Sequence, residues 1–405
     1  MFVKPSWLKS SIAFSVILSF VLMTITLVLA DYKHRLNYLR KIKCRVMREF
    51  LSIPNVDFYA VLLVLGIFGA LEYFLGHYKE TKRRKDDWIL EAVGFFVVII
   101  TKLILVAAIY FIGKGLFPYI DGSLAHWSLW ISFPFYIFID DFCQYWYHRS
   151  AHEYAWLWKH HRVHHDAREM GILTSYRNSW VYYLIMPNLW WAAIATFLGL
   201  APAVLLGLIF KQIIVTSTHS TWKWDEILYK TPLLKPFAWI VEHILITPAF
   251  HHGHHGRAQD DHISEPNGNY GNTFSLWDQM FGTAKFTRAF PVAYGLQSEV
   301  QESWTSHLLY PFVKSQTEGS ELHKNYKREK NLGTEPLKTT LQPGTYLYCQ
   351  CGYSSEQPWC NGSHHGSKNR PMVVNIKQER KVSICTCKLT KTPPYCDDSH
   401  LSLKS

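Results

Sequence analysis

Long apolar runs alternate with short polar segments through residues 1–312, and residues 313–405 contain none of these runs. Ser11 to Ala30 forms a charge-free run of 20 residues, which is long enough to cross a bilayer as a helix. Three more apolar runs predict spans at Phe58–Leu75, Ile89–Gly113 and, as a shorter element, Leu124–Ile139. The pattern therefore predicts a helical region that crosses a membrane several times.

A further apolar stretch, Val181–Phe210, is 30 residues long and is interrupted by Pro187, Gly199 and Pro202. This length predicts a helical hairpin with two crossings that turns near Gly199–Pro202. Residues 35–51 instead alternate apolar and basic positions near helical spacing, which is typical of a helix lying in the membrane interface. The first apolar run could then be re-entrant.

Residues 313–340 are polar and predict a linker of 28 residues, which as a free coil would span roughly 25–35 Å. Short strand-like pieces follow among Pro, Gly and Cys, at Thr345–Tyr348, Met372–Ile376 and Val382–Ile384. The predicted fold is an all-α polytopic membrane domain with a cytoplasmic cap that carries the histidines, plus a small β-rich C-terminal domain. The predicted units are an N-terminal anchor with a basic amphipathic segment at 1–54, a membrane domain at 55–312, the linker at 313–340 and the C-terminal domain at 341–405.

Composition and charge narrow the class of protein. With 48% hydrophobic and 18% charged residues, the chain is neither disordered nor a coiled coil. The net charge of +11 arises partly from basic clusters at 31–57 and 79–85, beside apolar runs, so anionic lipid headgroups explain it better than nucleic acid does. The 79–85 cluster predicts that the His-rich segments are cytoplasmic. The host membrane would be the endoplasmic reticulum in a eukaryote or the plasma membrane in a bacterium.

Nine of the 21 histidines form three motifs and one single position. They are His148 and His152 at i, i+4; His161, His164 and His165 at i, i+3, i+4; His251, His254 and His255 at the same spacing; and His219 at the end of the hairpin. On a helix, these spacings bring each set of imidazoles onto one face. An even number of crossings between the second and third motifs would leave all three on one side of the membrane.

Nitrogen ligands suit iron, zinc or copper, and nine imidazoles could hold two metal ions with positions left open. The Glu-x-x-His pattern of soluble di-iron proteins is absent from the sequence. A clustered histidine can also be a solvated loop residue or a packed ring. Three motifs at ligand spacing favour the metal site, whereas histidines such as His126 have no assigned role.

The run DFCQYWYHRSAHEYAWLWKHHRVHH, together with TPAFHHGHH and NYGNTFSLWDQMFGT, resembles the sterol desaturase/fatty acid hydroxylase superfamily over about residues 55–290. The resemblance implies an O₂-dependent membrane di-iron oxidoreductase that hydroxylates or desaturates a lipid, with the nine histidines as iron ligands. Asn269, Tyr270 and Asp278 match further family positions. The stretch from Thr247 to Gly271 looks closest to the alkylglycerol-oxygenase side. The chain departs from the family by inserting Asp260–Pro266, which predicts a reshaped rim of the site.

Six of the eight cysteines lie after residue 348 in two sets of equal spacing. Each set is Cys-x-Cys-x₈-Cys-x₃-His: Cys349, Cys351, Cys360 and His364, then Cys385, Cys387, Cys396 and His400. Spacing alone favours a zinc site on each set. A disulfide framework would suit a small secreted domain, and we favour metal ligands in a reducing compartment.

The same pattern resembles the CDGSH iron–sulfur family (mitoNEET-like), in its tandem branch, over about residues 335–405. This resemblance implies one [2Fe–2S] cluster on each set. Copy one has Asn361 where the family has Asp, and copy two has Asp398 where the family has Gly. A Gly-to-Asp change can strain a tight turn.

Two one-electron clusters match the two electrons that O₂ activation at a di-iron centre requires. The sequence therefore predicts a membrane lipid hydroxylase or desaturase with a fused electron-donor domain. Its partners would be O₂, an upstream reductase and a sterol, fatty acyl or ether lipid, and no nucleic acid. The alternative is a redox-sensing, iron-sensing or cluster-carrying membrane protein with a non-catalytic His-rich core. Zinc at every site is a third possibility.

Overall fold

The computed structural model describes residues 56–79, 81, 83–257, 261–296, 300–327, 329–367 and 369–403. The span predicted at Ser11–Ala30 and the interfacial helix predicted at 35–51 lie outside the described residues. The helices are α1 Val56–Phe74, α2 Lys85–Leu116, α3 Leu129–Glu153, α4 Ala155–His165, α5 Trp180–Ile185, α6 Pro187–Phe197, α7 Ala201–His219, α8 Asp225–Lys230, α9 Lys235–Ile244, α10 Pro248–His254, α11 Leu276–Met280 and α12 Trp304–Leu309.

Among the described residues, α1, α2 and α7 are long and apolar enough to cross a membrane. Together with the small C-terminal sheets, they confirm the predicted fold class of a helical membrane domain joined to a β-rich domain. The short span predicted at Leu124–Ile139 differs from the observed helix, because α3 begins at Leu129 and continues to Glu153. Buried polar side chains such as Asp141 and Gln144 occupy the second half of α3, which therefore belongs to the interior of the protein.

The predicted hairpin is present, but its first arm is broken. Helix α5 ends before Met186, and Pro187 opens α6, as expected for a proline at the first helical position. The turn contains Gly199 at φ +93°, where a Cβ atom would lie 2.8 Å from the Ala125 Cβ atom. Glycine is therefore required there both for the backbone conformation and for space.

Small residues let the hairpin approach α3 closely. Ala192 and Ala195 of α6 and Ala203 of α7 pack with Tyr136 and Ile137 of α3 in one buried cluster. This packing places the C-terminal ends of α3 and α7 beside each other. Both ends carry histidines of the predicted metal site, so the membrane-facing half of the fold positions the site.

Helix α9 has an apolar face that is open to the surroundings of the protein. Phe237, Trp239, Ile240 and Ile244 on this short helix are all exposed. A helix with this distribution is typical of an element lying in the membrane interface. Helix α9 is followed directly by α10, so the third histidine motif lies close to this interfacial element.

The C-terminal domain consists of two two-stranded antiparallel sheets. The strands are β1 Leu337–Leu341, β2 Gly344–Tyr348, β3 Met372–Ile376 and β4 Arg380–Ile384, with β1 paired to β4 and β2 paired to β3. The three predicted strand-like pieces fall within β2, β3 and β4. Strands β2 and β4 end directly before Cys349 and Cys385, so each leads into one cysteine set.

The linker predicted at 313–340 is partly ordered in the structure. Strand β1 begins within it at Leu337, and Leu322 is 1% exposed. Glu321 lies 3.6 Å from Arg162 of α4, and the Lys159 ammonium lies 5.5 Å from the centre of the Tyr326 ring. This segment therefore packs along α4 and does not form the free coil that its polarity predicts.

A buried ion network joins α2 to the segment that follows α4. The Arg177 guanidinium lies 2.8 Å from Asp87 and 3.5 Å from Glu91, and Arg83 also pairs with Glu91. Arg177 is 1% exposed and also donates to the Val163 carbonyl at 3.2 Å. The network ties a membrane helix to the helix of the second histidine motif.

We expect Arg177→Ala to lower the free energy of unfolding by roughly 3–5 kcal/mol, because it leaves buried carboxylates without their partner. The measurement is the thermal unfolding midpoint of detergent-solubilised protein. Lys230→Ala is the matched control, since Lys230 forms an exposed pair with Glu226 in which the Lys230 side chain is 74% exposed. Equal midpoints for the two variants would contradict the stabilising role of the network.

Candidate metal centres

The nine predicted histidines are all buried and converge in two groups. The larger group, here called the five-histidine set, contains His148, His152, His161, His165 and His254. The smaller group, the four-histidine set, contains His164, His219, His251 and His255. Within each set, one ligand nitrogen per residue lies within 4.8 Å of every other. These nine histidines therefore offer two separate positions where a cation could bind.

Four helices supply these side chains. The first motif occupies the last turns of α3, and the second occupies α4. The third lies on α10 with His255 as the residue that caps its C-terminal end, and His219 is the last residue of α7. The Thr247 hydroxyl caps α10 by accepting from the Phe250 amide at 3.4 Å, and Pro248 follows at the first helical position. This start fixes the orientation of the third motif.

Backbone and side-chain oxygens hold several rings through Nδ1. His148 faces the Tyr270 carbonyl at 2.8 Å, and His254 faces the Gly268 carbonyl at 2.7 Å. The remaining three contacts are His161 with Asn178 Oδ1 at 3.0 Å, His164 with the Thr174 carbonyl at 3.0 Å and His219 with the Val215 carbonyl at 2.8 Å. When Nδ1–H donates to such an oxygen, the lone pair of Nε2 is free to bind a metal ion. Histidine ligands of known metal sites are commonly oriented by a hydrogen bond of this kind.

The Nε2 atoms point toward one another. The His148 and His254 Nε2 atoms are 3.0 Å apart, and the His219 and His251 Nε2 atoms are also 3.0 Å apart. Two acceptor lone pairs this close repel unless a proton or a cation lies between them. Such pairs fit a shared cation, and Nδ1 contacts hold His148, His254 and His219 in place.

Burial keeps these imidazoles neutral. Desolvation, reinforced by neighbouring histidines, holds the pKa of His152, His165 and His255 well below the ordinary value, and burial lowers the pKa of His148 to about 4. Nε2 of His152, His161, His165 and His255 and Nδ1 of His251 are buried without a hydrogen-bond partner among the described residues. Neutral, unpartnered nitrogens fit a transition-metal ion.

The loop after the third motif is organised by Asp278. Its carboxylate accepts from the backbone amides of Tyr270 and Gly271 at 2.8 and 2.6 Å and from the Thr283 hydroxyl at 2.6 Å. Burial raises the pKa of Asp278 to about 6. Because the Tyr270 carbonyl faces His148, Asp278 orients that ring indirectly.

Asn269 bridges the same loop to α10. At φ +55°, its amide nitrogen donates to the Phe250 and Lys285 carbonyls at 3.0 and 3.1 Å, and its oxygen accepts from the Lys285 amide at 2.7 Å. Asn178, Thr174 and Gly268 are supporting residues that the sequence does not indicate. Two of them act through a backbone carbonyl, which leaves no side-chain signal.

The two Cys₃His sets are each gathered in the C-terminal domain. In copy one, Cys349 and Cys351 Sγ atoms are 3.6 Å apart, and Cys360 Sγ lies 3.1 Å from His364 Nδ1. In copy two, the corresponding distances are 3.5 Å for Cys385 to Cys387 and 3.3 Å for Cys396 to His400. These sulfurs are far beyond the length of a disulfide bond and converge as ligands would.

Backbone amides point at the sulfurs in both copies. Gly362 donates to Cys360 Sγ and Asp398 donates to Cys396 Sγ, each at 3.4 Å. These residues adopt the same left-handed turn, at φ +86° and +64°. The turn that copy one makes at Gly362 is therefore also made at Asp398, at a conformational cost. Amide donors to thiolate sulfur fit an iron–sulfur cluster or a zinc ion.

Comparison with known proteins shows that residues 133–283 match the family model described as fatty acid hydroxylase. The resemblance predicted from the histidine motifs is thereby confirmed for this segment. The chain is 28% identical over 157 residues to alkylglycerol monooxygenase of Xenopus tropicalis, which covers 39% of this chain and 30% of the relative. It is 26% identical over 209 residues to the ornithine lipid hydroxylase OlsE of Rhizobium tropici, covering 50% of this chain and 54% of the relative.

A search of solved structures finds the human mitochondrial inner NEET protein at 34% identity, covering 20% of this chain and 89% of that protein, with a TM-score of 0.18. The chain spans between about a third and about half of the length of the two curated relatives named above.

We expect His254→Ala to reduce the metal content of the helical domain, because it removes a nitrogen that faces His148 Nε2 at 3.0 Å. The measurement is metal content of the purified protein by inductively coupled plasma mass spectrometry. His126→Ala is the matched control, because His126 is exposed and lies outside both sets. Equal metal content in both variants would contradict a metal ion held by His254 in the five-histidine set.

Asn178→Ala should weaken metal affinity by roughly 10–100-fold, because it removes the oxygen that orients His161. Asn178→Asp retains an acceptor and should restore most of the affinity. The affinity is measured by competition with a chelator. An alanine variant that binds metal as tightly as the aspartate variant would contradict the orienting role of Asn178.

Proposed function

We propose that this protein is a membrane di-iron oxidoreductase that uses O₂ to hydroxylate or desaturate a lipid, and that its C-terminal domain supplies electrons from two [2Fe–2S] clusters. The observation that carries the proposal is the convergence of nine buried histidines in two sets. The match of residues 133–283 to the fatty acid hydroxylase family supports it.

The chain's own residues would perform the binding. Each set would hold one iron through its inward-facing nitrogens. The Nδ1 contacts would keep the rings of His148, His161, His164, His219 and His254 from rotating. Desolvation keeps the imidazoles neutral, so they remain available as ligands at neutral pH. Asp278 and Asn269 fix the loop that closes the five-histidine set.

Bound iron would supply O₂ reduction and abstraction of hydrogen from an unactivated C–H bond. Hydroxylation consumes R–H, O₂, two electrons and two protons and yields R–OH and water. Desaturation consumes the same O₂, electrons and protons and yields an alkene and two waters. Both reactions need two electrons from outside the substrate.

The two Cys₃His sets would bind the clusters that provide those electrons. Each [2Fe–2S] cluster transfers one electron, so two clusters match one turnover. Replacing one thiolate by His removes negative charge from a cluster, which raises its reduction potential. An upstream reductase with a flavin or iron–sulfur donor would reduce the clusters again.

The site would lie on the cytoplasmic side. Arg83, from the basic segment before α2, donates to the Thr174 hydroxyl at 3.1 Å and pairs with Glu169 at 3.2 Å. Thr174 also orients His164, so the basic segment and the histidines share one face. The positive-inside rule assigns that face to the cytoplasm.

The substrate would be a lipid with an alkyl chain, and we propose an ether lipid as the first to test. Similarity to an alkylglycerol monooxygenase supports testing an ether lipid first. Similarity to an ornithine lipid hydroxylase supports a lipid substrate in general. The exposed apolar face of α9 would hold the site close to the membrane surface. Sterols and fatty acyl lipids complete the panel.

The decisive experiment supplies purified protein in lipid nanodiscs with ¹⁸O₂, a chemical reductant and an alkylglycerol, a sterol or a fatty acyl lipid. Hydroxylation gives a product carrying ¹⁸O, whereas desaturation gives an unlabelled product lighter by two hydrogens. We expect His254→Ala to abolish either product and His126→Ala to retain it. Absence of product from every lipid class would contradict the proposal.

The donor role is tested with Cys360→Ala and Cys396→Ala, each of which should lose about two irons per chain and the corresponding cluster absorbance. Turnover driven by an external reductase should fall in both variants. His126→Ala again serves as the control. Unchanged turnover in both cysteine variants would remove the donor role while leaving the oxidase intact.

A further inference from the structure

The two cysteine sets occupy different positions relative to the histidines. Copy one lies directly against the five-histidine set, because the Gly366 amide donates to the His152 carbonyl at 2.9 Å. Gly366 has φ +69°, and a Cβ atom there would lie 2.8 Å from the Ala155 Cα atom. The loop that ends copy one is therefore fitted closely to the junction between α3 and α4.

Aromatic rings fill the space between copy one and the five-histidine set. The His364 ring lies 4.3 Å from the His365 ring, which stacks on Trp158 at 4.7 Å with an interplanar angle of 18°. Trp158 lies 5.2 Å from the His152 ring and 5.7 Å from the His165 ring. All of these distances join ring centres, so adjacent rings lie near contact along this row.

Residues 261–266, the described part of the insertion predicted at Asp260–Pro266, lie at the same junction. Asn267, directly after it, approaches His364 Nε2 at 2.7 Å through its amide nitrogen. His262 Nε2 lies 3.0 Å from the Thr345 hydroxyl of β2. Asp261 shapes this loop by accepting from the Ile263 and Ser264 amides at 2.8 and 2.6 Å. The departure from the family thus coincides with contacts to the C-terminal domain.

The repeat itself provides an internal comparison. Copy one continues from its ligand as His364-His365-Gly366, whereas copy two continues as His400-Leu401-Ser402. Leu401 is 56% exposed, and Asp397 and Asp398 beside it are also exposed. Copy one thus has His365 and Gly366, which contact the helical domain, and copy two has Leu401 and Ser402 at the same positions.

A ring also lies between the two copies. Tyr348, directly before Cys349 of copy one, is 2% exposed and belongs to the same buried cluster as Cys385 and Cys387 of copy two. The order of the groups through the protein is therefore copy two, Tyr348, copy one, His365 with Trp158, and the five-histidine set.

We propose that copy one is the immediate electron donor and that His365 and Trp158 form the path from it to the five-histidine set, with copy two as the outer relay. This inference rests on the proposed function. His365 and Trp158 would pass one electron at a time. A reduced copy-one cluster becomes all-ferric, and one ferric ion on the histidines becomes ferrous.

Copy two then returns copy one to its reduced state, and an external flavin or iron–sulfur carrier reduces copy two. Two transfers provide the two electrons of one turnover. The insertion and Gly366 act as positioning elements, because they hold the rings of the path in contact.

The test is anaerobic, uses the full chain loaded with iron and follows cluster absorbance rather than product. A light flash photoreduces deazaflavin, which then delivers less than one electron per chain to the oxidised clusters. Recovery of the cluster absorbance then reports transfer to the histidine-bound iron. The His254→Ala variant gives the background rate, at which the clusters lose electrons to acceptors other than the histidine-bound iron.

We expect His365→Leu, which copies the residue of copy two, to slow recovery by about tenfold or more. His365→Phe keeps a stacked ring and should recover most of the rate. His126→Leu is the matched histidine-to-leucine control and should behave like the unaltered protein. Cluster absorbance before the flash and reduction potential should be the same in all of these variants.

Recovery at the unaltered rate in both His365→Leu and Trp158→Leu would overturn the path while leaving the proposed function in place. If the copy-one cluster fails to assemble in His365→Leu, the Trp158→Leu variant decides the question, since Trp158 belongs to the other domain. Recovery in the unaltered protein no faster than in His254→Ala would instead contradict the donor role in the proposed function.

Discussion

The structure depends on nine imidazoles that are buried facing one another. Desolvation keeps them neutral, so the site avoids the repulsion that nine positive charges would create. Neutral acceptor nitrogens without partners are nonetheless costly to bury. The helices are held in this arrangement by Nδ1 contacts to carbonyl and amide oxygens such as those of Tyr270 and Asn178, and by ions such as Arg177 outside the sets. A bound cation would remove the remaining cost, and its binding would then be coupled to folding of this domain.

The spacing of the histidines predicts which side chains share a helical face, and this local part of the site is visible in the sequence. The division into two sets follows the same geometry. In the second motif, His161 and His165 at i, i+4 join the five-histidine set, while His164 at i+3 turns to the other set. In the third motif, His251 and His255 again stay together, and His254 crosses over. Which motifs meet depends on how α3, α4, α7 and α10 pack, and no spacing within one helix contains that information.

Several supporting contacts of the site and parts of the C-terminal fold could not be predicted from the sequence, because they depend on backbone atoms or on residues distant in the chain. Thr174 and Gly268 act through carbonyl oxygens that any residue possesses. Strand β1 reads as polar, since only its last residue, Leu341, is buried. The polar sequence of residues 313–340 predicts a solvated linker. In the structure, Leu322 is buried and Glu321 pairs with Arg162, so the segment packs against the helical domain. Long apolar runs and short strands before cysteines were predictable, because burial and periodicity are encoded residue by residue.

The tandem repeat shows how one motif can occupy two different environments. Both copies keep identical ligand spacing, and Gly362 and Asp398 adopt the same left-handed turn. The copies differ where one meets the helical domain and the other meets solvent. A glycine is needed at 366 because a Cβ atom there would collide with Ala155 and Trp158 of α4, whereas the matching position of copy two is Ser402, which is exposed. The asymmetry of the repeat is therefore a consequence of docking, and it gives the duplicated domain an inner and an outer end.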